Sequence, residues 1–213
     1  MLTKYKNIIW DWNGTLLDDV SLCIEIINEL LVANSLFEIS YEKYREIFQF
    51  PISKYYEQLG FDLSNNQFEL LASDYVKQYN ARVEECPLHT GVEETLDRLN
   101  ILGKKQFILS ANEHLSLQEA VEQKRIDVYF DKIQGLEGVK AESKLANGFD
   151  LMKKFEGEAI LIGDTLHDVE VASELGIDCA VITCGHNSPD RFDDNNVLKF
   201  QSLHQLLVAS SND

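Results

Sequence analysis

Apolar residues recur along this chain in two rhythms. Short, nearly unbroken runs read as buried strands: "NIIWD" (7–11), "QFILS" (106–110), "AILIGD" (159–164), "CAVITC" (179–184) and the weaker "VLKF" (197–200). Between them the apolar spacing lengthens to three and four. "GVEETLDRLNILG" puts Val92, Leu96 and Leu99 on one helical face and stops at Gly103. "LHDVEVASELG" does the same with Val169, Ala172 and Leu175, ahead of Gly176. Apolar strands alternating with helices predict an α/β fold, a doubly wound parallel sheet covered on both faces.

One stretch breaks the alternation. Residues 20–33, 41–49, 53–59 and 65–82 are all helical in period, and in the last of them Phe68, Leu71, Tyr75, Val76 and Tyr79 share a face. No convincing strand appears from about 18 to 86, so this is a helical insertion between the first and second strands. The expected division is an α/β core of residues 1–17 and 87–213 and an all-helical segment of residues 18–86. A length of 213 residues suits a core carrying one such module.

Composition and charge narrow the field. With 45% hydrophobic residues the chain can bury an ordinary core. No window approaches the ~18 apolar residues of a membrane span. "MLTKYKNIIW" enters a strand directly, without the apolar region of a signal peptide. Cys23, Cys86, Cys179 and Cys184 form no CxxC pair and fit the reduced thiols of a cytoplasmic protein. The formal net charge of −17 argues against nucleic acid as a partner, since no basic stripe exists to neutralise phosphates. It also sets a condition. The charge of an anionic substrate must be met locally, by a metal, a lysine or helix N-termini.

Ligands of an open α/β sheet bind beyond the carboxyl ends of its strands. The first strand delivers Asp11 there and the second Ser110. The next delivers Asp164 within "GDTLHD", with Asp168 four residues on. One such aspartate would be an ordinary helix cap. Three acids and a hydroxyl arriving at one edge indicate a site.

These residues carry a resemblance to the haloacid dehalogenase superfamily, in its phosphoglycolate-phosphatase-like branch. "DWNGTLLDD" resembles its first motif, "FILSANE" its second and "GDTLHDVEVASELG" its fourth. Lys144 in "KAESKLANG" stands where the family carries its third-motif lysine, with Lys140 the less favoured alternative. The helical insertion resembles the family's type-1 cap. The resemblance implies a Rossmann-like core and a Mg²⁺-dependent phosphatase of a small phosphorylated metabolite, phosphoglycolate-like or a sugar phosphate. Asp11 would attack phosphorus to form an aspartyl-phosphate. Asp11, the Asn13 backbone carbonyl, Asp164 and Asp168 (directly or through water) would hold Mg²⁺, a hard ion suited to oxygen ligands. Ser110, Lys144 and the backbone around Gly14, Ala111 and Asn112 would hold the phosphoryl oxygens. Arg45, Lys54 and Tyr55 are the cap candidates for substrate contact, and a monomer or weak dimer is expected.

Asn13 departs from the family's pattern, which places a second aspartate there as general acid and base. An amide exchanges no proton at neutral pH, and such help is worth ~10²–10⁴-fold. Four readings follow. The chain hydrolyses esters slowly or acts on good leaving groups such as acyl phosphates. Another acid, His167 or His114, substitutes. The chain is like the phosphonate hydrolases, with Lys43 or Lys54 as a Schiff-base lysine. Or it binds phosphate without catalysis. Dehalogenation is disfavoured, because Asp164 and Asp168 point to a metal that it does not need.

Overall fold

The computed structural model describes residues 2–136, 144–193 and 197–211. Its six strands are β1 (Asn7–Trp10), β2 (Lys105–Glu113), β3 (Lys132–Leu136), β4 (Ala159–Gly163), β5 (Asp178–Ile182) and β6 (Leu198–Phe200). They form one parallel sheet in the order β3-β2-β1-β4-β5-β6. Alternate residues of each strand face opposite sides. Ile8, Trp10, Ile108, Ile160 and Ile162 pack into one apolar cluster. Ile9, Phe107, Leu109 and Leu161 pack into the other.

Helices cover both faces. Leu151 of α7 (Lys144–Met152) and Val171, Ala172 and Leu175 of α8 (Leu166–Leu175) cover the Ile9 side. The Ile8 side packs on α5 (Val92–Ile101), α6 (His114–Gln123) and α9 (Leu203–Ser211), through Leu96, Leu117 and Leu203. Four further helices lie between β1 and β2 in the chain: α1 (Val20–Ala33), α2 (Tyr41–Ile47), α3 (Ile52–Leu59) and α4 (Gln67–Arg82). Their buried residues, among them Ile26, Ile27, Tyr44, Tyr56 and Leu71, join the Ile8-side cluster. The two passages into and out of this helical segment run side by side. Leu17 bridges Leu88, Asp18 N donates to Pro87 O at 2.9 Å, and His89 N to Leu16 O at 2.9 Å.

Several details differ from the sequence reading. β3 is a strand that the apolar pattern does not announce, because Gln134 and Gly135 interrupt its apolar run at the sheet edge. Ser110 lies inside β2, whose pairing with β3 shifts register between Leu109 and Glu113. The second helix of the insertion stops at Ile47, since Phe48 turns out of helical geometry at ψ 125°. Val171 takes the deeply buried place on α8 expected of Val169. Val76 is 53% exposed although its α4 neighbour Leu71 is buried. Among the described residues, no helix is long and apolar enough to cross a membrane.

Candidate active site

In the strand order, β1 is flanked by β2 on one side and β4 on the other. Chain connectivity reverses between β1 and β4, so a crevice opens at their carboxyl ends. Asp11 follows β1 and Asp164 follows β4 there. One carboxylate oxygen from each of Asp11, Asp164 and Asp168 lies within 4.8 Å of the others, and all three residues are buried.

The turn after β1 is built for this approach. Leu16 N and Leu17 N donate to Trp12 O at 3.0 and 2.9 Å, which curls the chain back under Asp11. Gly14 adopts φ +68°, a left-handed conformation costly for other residues. A Cβ there would also meet Asp164 Oδ2 at 2.2 Å. Thr15 Oγ1 donates to Asp164 Oδ1 at 2.9 Å, and His186 N to its Oδ2 at 2.6 Å. On the other side α8 opens with a capping box, Asp168 Oδ2 accepting from Thr165 N (3.0 Å) and Thr165 Oγ1 (2.6 Å).

Lys144, at the start of α7, donates to Asp11 Oδ1 and Asp168 Oδ1, each at 2.6 Å. Lys140, the alternative lysine, lies outside the described residues. The charge count is three buried carboxylates to one ammonium. Burial raises the pKa of Asp11, against the pull of Lys144 and with the push of Asp168, to about 6. Burial likewise raises Asp164 to about 7, His186 opposing and both neighbouring aspartates adding to it. Burial acts against ionisation of Asp168 too, but Lys144 and the Thr165 bonds outweigh it and hold its pKa low. Hard oxygen donors in anionic excess are the donor set that a small divalent cation requires.

A second buried ionic cluster, centred on Asp19, adjoins the first and was missed by sequence reasoning. His186 Nε2 lies 3.3 Å from Asp19 Oδ1, and the ring's Nδ1 shares a hydrogen bond with Tyr44 Oη at 2.9 Å. Asp19 also accepts from Gly14 N at 2.9 Å, Tyr79 Oη at 2.7 Å and Asn13 Nδ2 at 2.7 Å. Asn13 Nδ2 also donates to Tyr79 Oη. Burial works against both charges, yet their mutual attraction prevails. Asp19 is held down to about 2 and His186 is raised to about 9. A signal existed: His186 follows the fifth strand at the same edge that delivers the acids.

Other predicted residues fall as follows. Ser110, Ala111, Asn112, Tyr55 and His167 line one cavity with Asp11, Asn13 and Lys144. Ser110 Oγ accepts from Asn112 N at 3.2 Å. The Gly14 N–H donates to Leu17 O and Asp19 Oδ1, both at 2.9 Å. Arg45 is corrected as a substrate contact. Its guanidinium donates to Thr183 O (2.5 Å), Gly185 O (2.7 Å) and Asn187 O (3.0 Å), tying α2 to the loop after β5. Lys54 is exposed and does not line the cavity, and neither does Lys43. His114 Nδ1 accepts from Gly135 N at 3.2 Å, away from the cavity wall.

Comparison with known proteins identifies the family. The haloacid dehalogenase-like hydrolase family model matches residues 8–182. A 5′-nucleotidase of Pseudomonas aeruginosa is 24% identical over 197 residues, covering 88% of this chain and 86% of that protein. A phosphoglycolate phosphatase of Synechococcus elongatus is 22% identical over 181 residues, covering 84% of each. Among solved structures, a haloacid dehalogenase-like family hydrolase from Streptococcus pneumoniae superposes with a TM-score of 0.82 at 21% identity, over 98% of this chain and 99% of that one. The expected family is thereby established on motif, geometry and similarity together: this chain belongs to the haloacid dehalogenase-like hydrolases.

Proposed function

We propose that the chain is a Mg²⁺-dependent phosphatase of small phosphorylated molecules, with residues 1–17 and 87–213 as its catalytic core and residues 18–86 as a helical cap. One observation carries the reading: Asp11, Asp164 and Asp168 converge within 4.8 Å, with Lys144 bridging Asp11 and Asp168. Its relatives include proteins named 5′-nucleotidase and phosphoglycolate phosphatase, which act on phosphate esters by name.

Asp11 would serve as nucleophile. Lys144 holds one of its oxygens, which orients the carboxylate and stabilises its anion. The same ammonium would attract the phosphoryl group, and Ser110 with the backbone of Ala111 and Asn112 would complete its cradle. Asp11, Asp164 and the Asn13 carbonyl would hold Mg²⁺. Asp168 fits a water-mediated role, since Lys144 and Thr165 engage both its oxygens. When bound, Mg²⁺ supplies positive charge that offsets the phosphate dianion and the crowded carboxylates. Phosphoryl transfer is governed mainly by such positioning and electrostatics. Water would then hydrolyse the aspartyl-phosphate and free Asp11.

A panel of phosphate monoesters assayed with Mg²⁺ and with chelator tests this reading. Turnover should depend on the ion, and Asp11→Asn should lower it by at least ~10³-fold while leaving the fold intact. Equal turnover in chelator, or an active Asp11→Asn variant, would contradict it.

A further inference from the structure

The site opens into a cavity of about 660 Å³ whose far wall is furnished by α1–α4 and their connections. From residues 20 to 83 that wall holds uncharged side chains only. Phe48 and Tyr55 meet edge to face at 5.3 Å, and Tyr75 stacks on Tyr79 at 6.2 Å. At the mouth, Phe50 of the α2–α3 connection lies 4.7 Å from the ring of His167 on α8. Among the described residues lining the cavity, Lys144 is the single lysine or arginine, and it already serves Asp11 and Asp168. Arg45, the cationic side chain anchored nearest on α2, is spent on three backbone carbonyls.

His186, the other cation on the lining, is held by Asp19 at 3.3 Å. A leaving group with its own carboxylate or second phosphate would therefore enter this space without a free cation to meet it, and an unpaired buried charge is strongly disfavoured. A flat apolar ring would find rings at edge and face. The other half of the argument is chemical. Asn13 cannot hand a proton to the departing oxygen, and its amide is occupied by Asp19 and Tyr79. Alkoxides, whose parent alcohols ionise near the ~15.7 of water, need that proton. Phenols ionise near ~10, so an aryl oxide departs without it.

Resting on the phosphatase reading above, we infer that the cavity takes an uncharged aromatic leaving group and that the preferred substrates are aryl phosphate monoesters. An oxygen of Asp11 forms a bond to phosphorus as the bond from phosphorus to the aryl oxygen breaks, and the electron pair leaves on the aryl oxide. Water then attacks phosphorus, restores the Asp11 carboxylate and releases inorganic phosphate. The aryl oxide takes its proton from solvent, so an ester and a water yield a phenol and a phosphate.

Binding and turnover are measured separately, in Mg²⁺, on the whole chain. Non-hydrolysable 1-naphthylmethylphosphonate is compared with phosphonoacetate and methylphosphonate by calorimetry, and 1-naphthyl phosphate with phosphoglycolate by kcat/KM. The naphthyl phosphonate should bind at least tenfold more tightly than either rival, and naphthyl phosphate should lead phosphoglycolate by at least tenfold. Val76→Lys, which places an ammonium on the exposed rim of that wall, should narrow the binding gap by at least threefold. Phosphonoacetate binding as tightly as the naphthyl compound overturns the inference, whatever is hydrolysed. Naphthyl preference in binding with no ester turned over upholds the aromatic pocket and defeats the phosphatase reading instead.

Discussion

Asn13 and His186 are the residues on which the local chemistry turns. In Asn13 the amide donates to Asp19 Oδ2 at 2.7 Å, so the side chain already has a structural task. Asn13→Asp would set a second carboxyl against Asp19, tolerable mainly when one of the two is protonated. The variant should therefore be less stable than the parent in urea. It should also hydrolyse alkyl phosphates at least tenfold faster, because a proton held at that position is what an alkoxide needs. Aryl phosphate turnover should change little. No gain on alkyl esters would show that leaving-group protonation does not limit the reaction.

His186 makes a prediction about pH. Its pKa rises from 6.5 to about 9 on folding, because Asp19 outweighs the cost of burial. A raised pKa means that the folded state holds the proton more tightly. The stabilisation is thus complete below pH 6.5 and disappears as pH climbs through about 9. The shift corresponds to roughly 3 kcal/mol. The depressed pKa of Asp19 describes the same pair from the acid side: full stabilisation above 3.8, lost as pH falls through about 2. Chemical denaturation in chelator should show the alkaline loss in the parent and a flatter profile in His186→Asn. Parallel profiles would dissolve the proposed ion pair. Little of this was legible in sequence. Asp11 and Asp164 announce themselves by ending apolar runs and Asp168 by following Asp164 at four residues, whereas Asp19 and His186 are 167 positions apart and meet only through the fold.

At the scale of elements, the sequence read most clearly where burial is complete. All four residues of β1 and all five of β4 are buried, and the unbroken apolar runs Ile8–Trp10 and Ala159–Ile162 make both strands evident. β3 is half-buried at the sheet edge and hides behind Gln134 and Gly135. Arg45 shows a further limit. A basic residue on a short helix reads as a substrate contact, yet its partners are carbonyls of a distant loop that composition cannot reveal. Around it, Ser188 N donates to Arg45 O at 3.1 Å, Asn187 Nδ2 to Phe48 O at 2.8 Å, and Arg191 Nη1 to Phe48 O at 2.7 Å. Asn187 also accepts from Leu166 N at 2.9 Å, at the start of α8. This strap joins α2 to the loop beside the acids. The bonds donated by the Arg45 and Arg191 guanidinium groups are charge-assisted, a kind worth ~1.5–3 kcal/mol each. Arg45→Met should speed amide exchange over residues 45–50 and 183–191 and raise KM several-fold for charged and uncharged leaving groups alike. A KM effect confined to anionic leaving groups, with exchange unchanged, would restore Arg45 as a substrate contact.

At the scale of the whole molecule, a chain with a net charge of −17 gathers Lys144 and three buried carboxylates in one crevice. Chain connectivity reverses between the parallel strands β1 and β4, and that reversal delivers Asp11 and Asp164 to opposite sides of a single gap. The helical segment closes the other side with aromatic rings, so charged and aromatic side chains occupy separate walls of the same cavity. An anionic substrate of so acidic a chain would need a local cation, and Lys144 and the carboxylate trio that would recruit a metal stand in that crevice. The central claim is that Asp11 itself becomes phosphorylated. Rapid acid quenching of turnover with an ester carrying a radiolabelled phosphoryl group, followed by peptide mapping, measures this most directly. Label should appear on the peptide containing Asp11 within the first turnover, and be absent in Asp11→Asn. Full turnover with no label on that peptide would contradict the account.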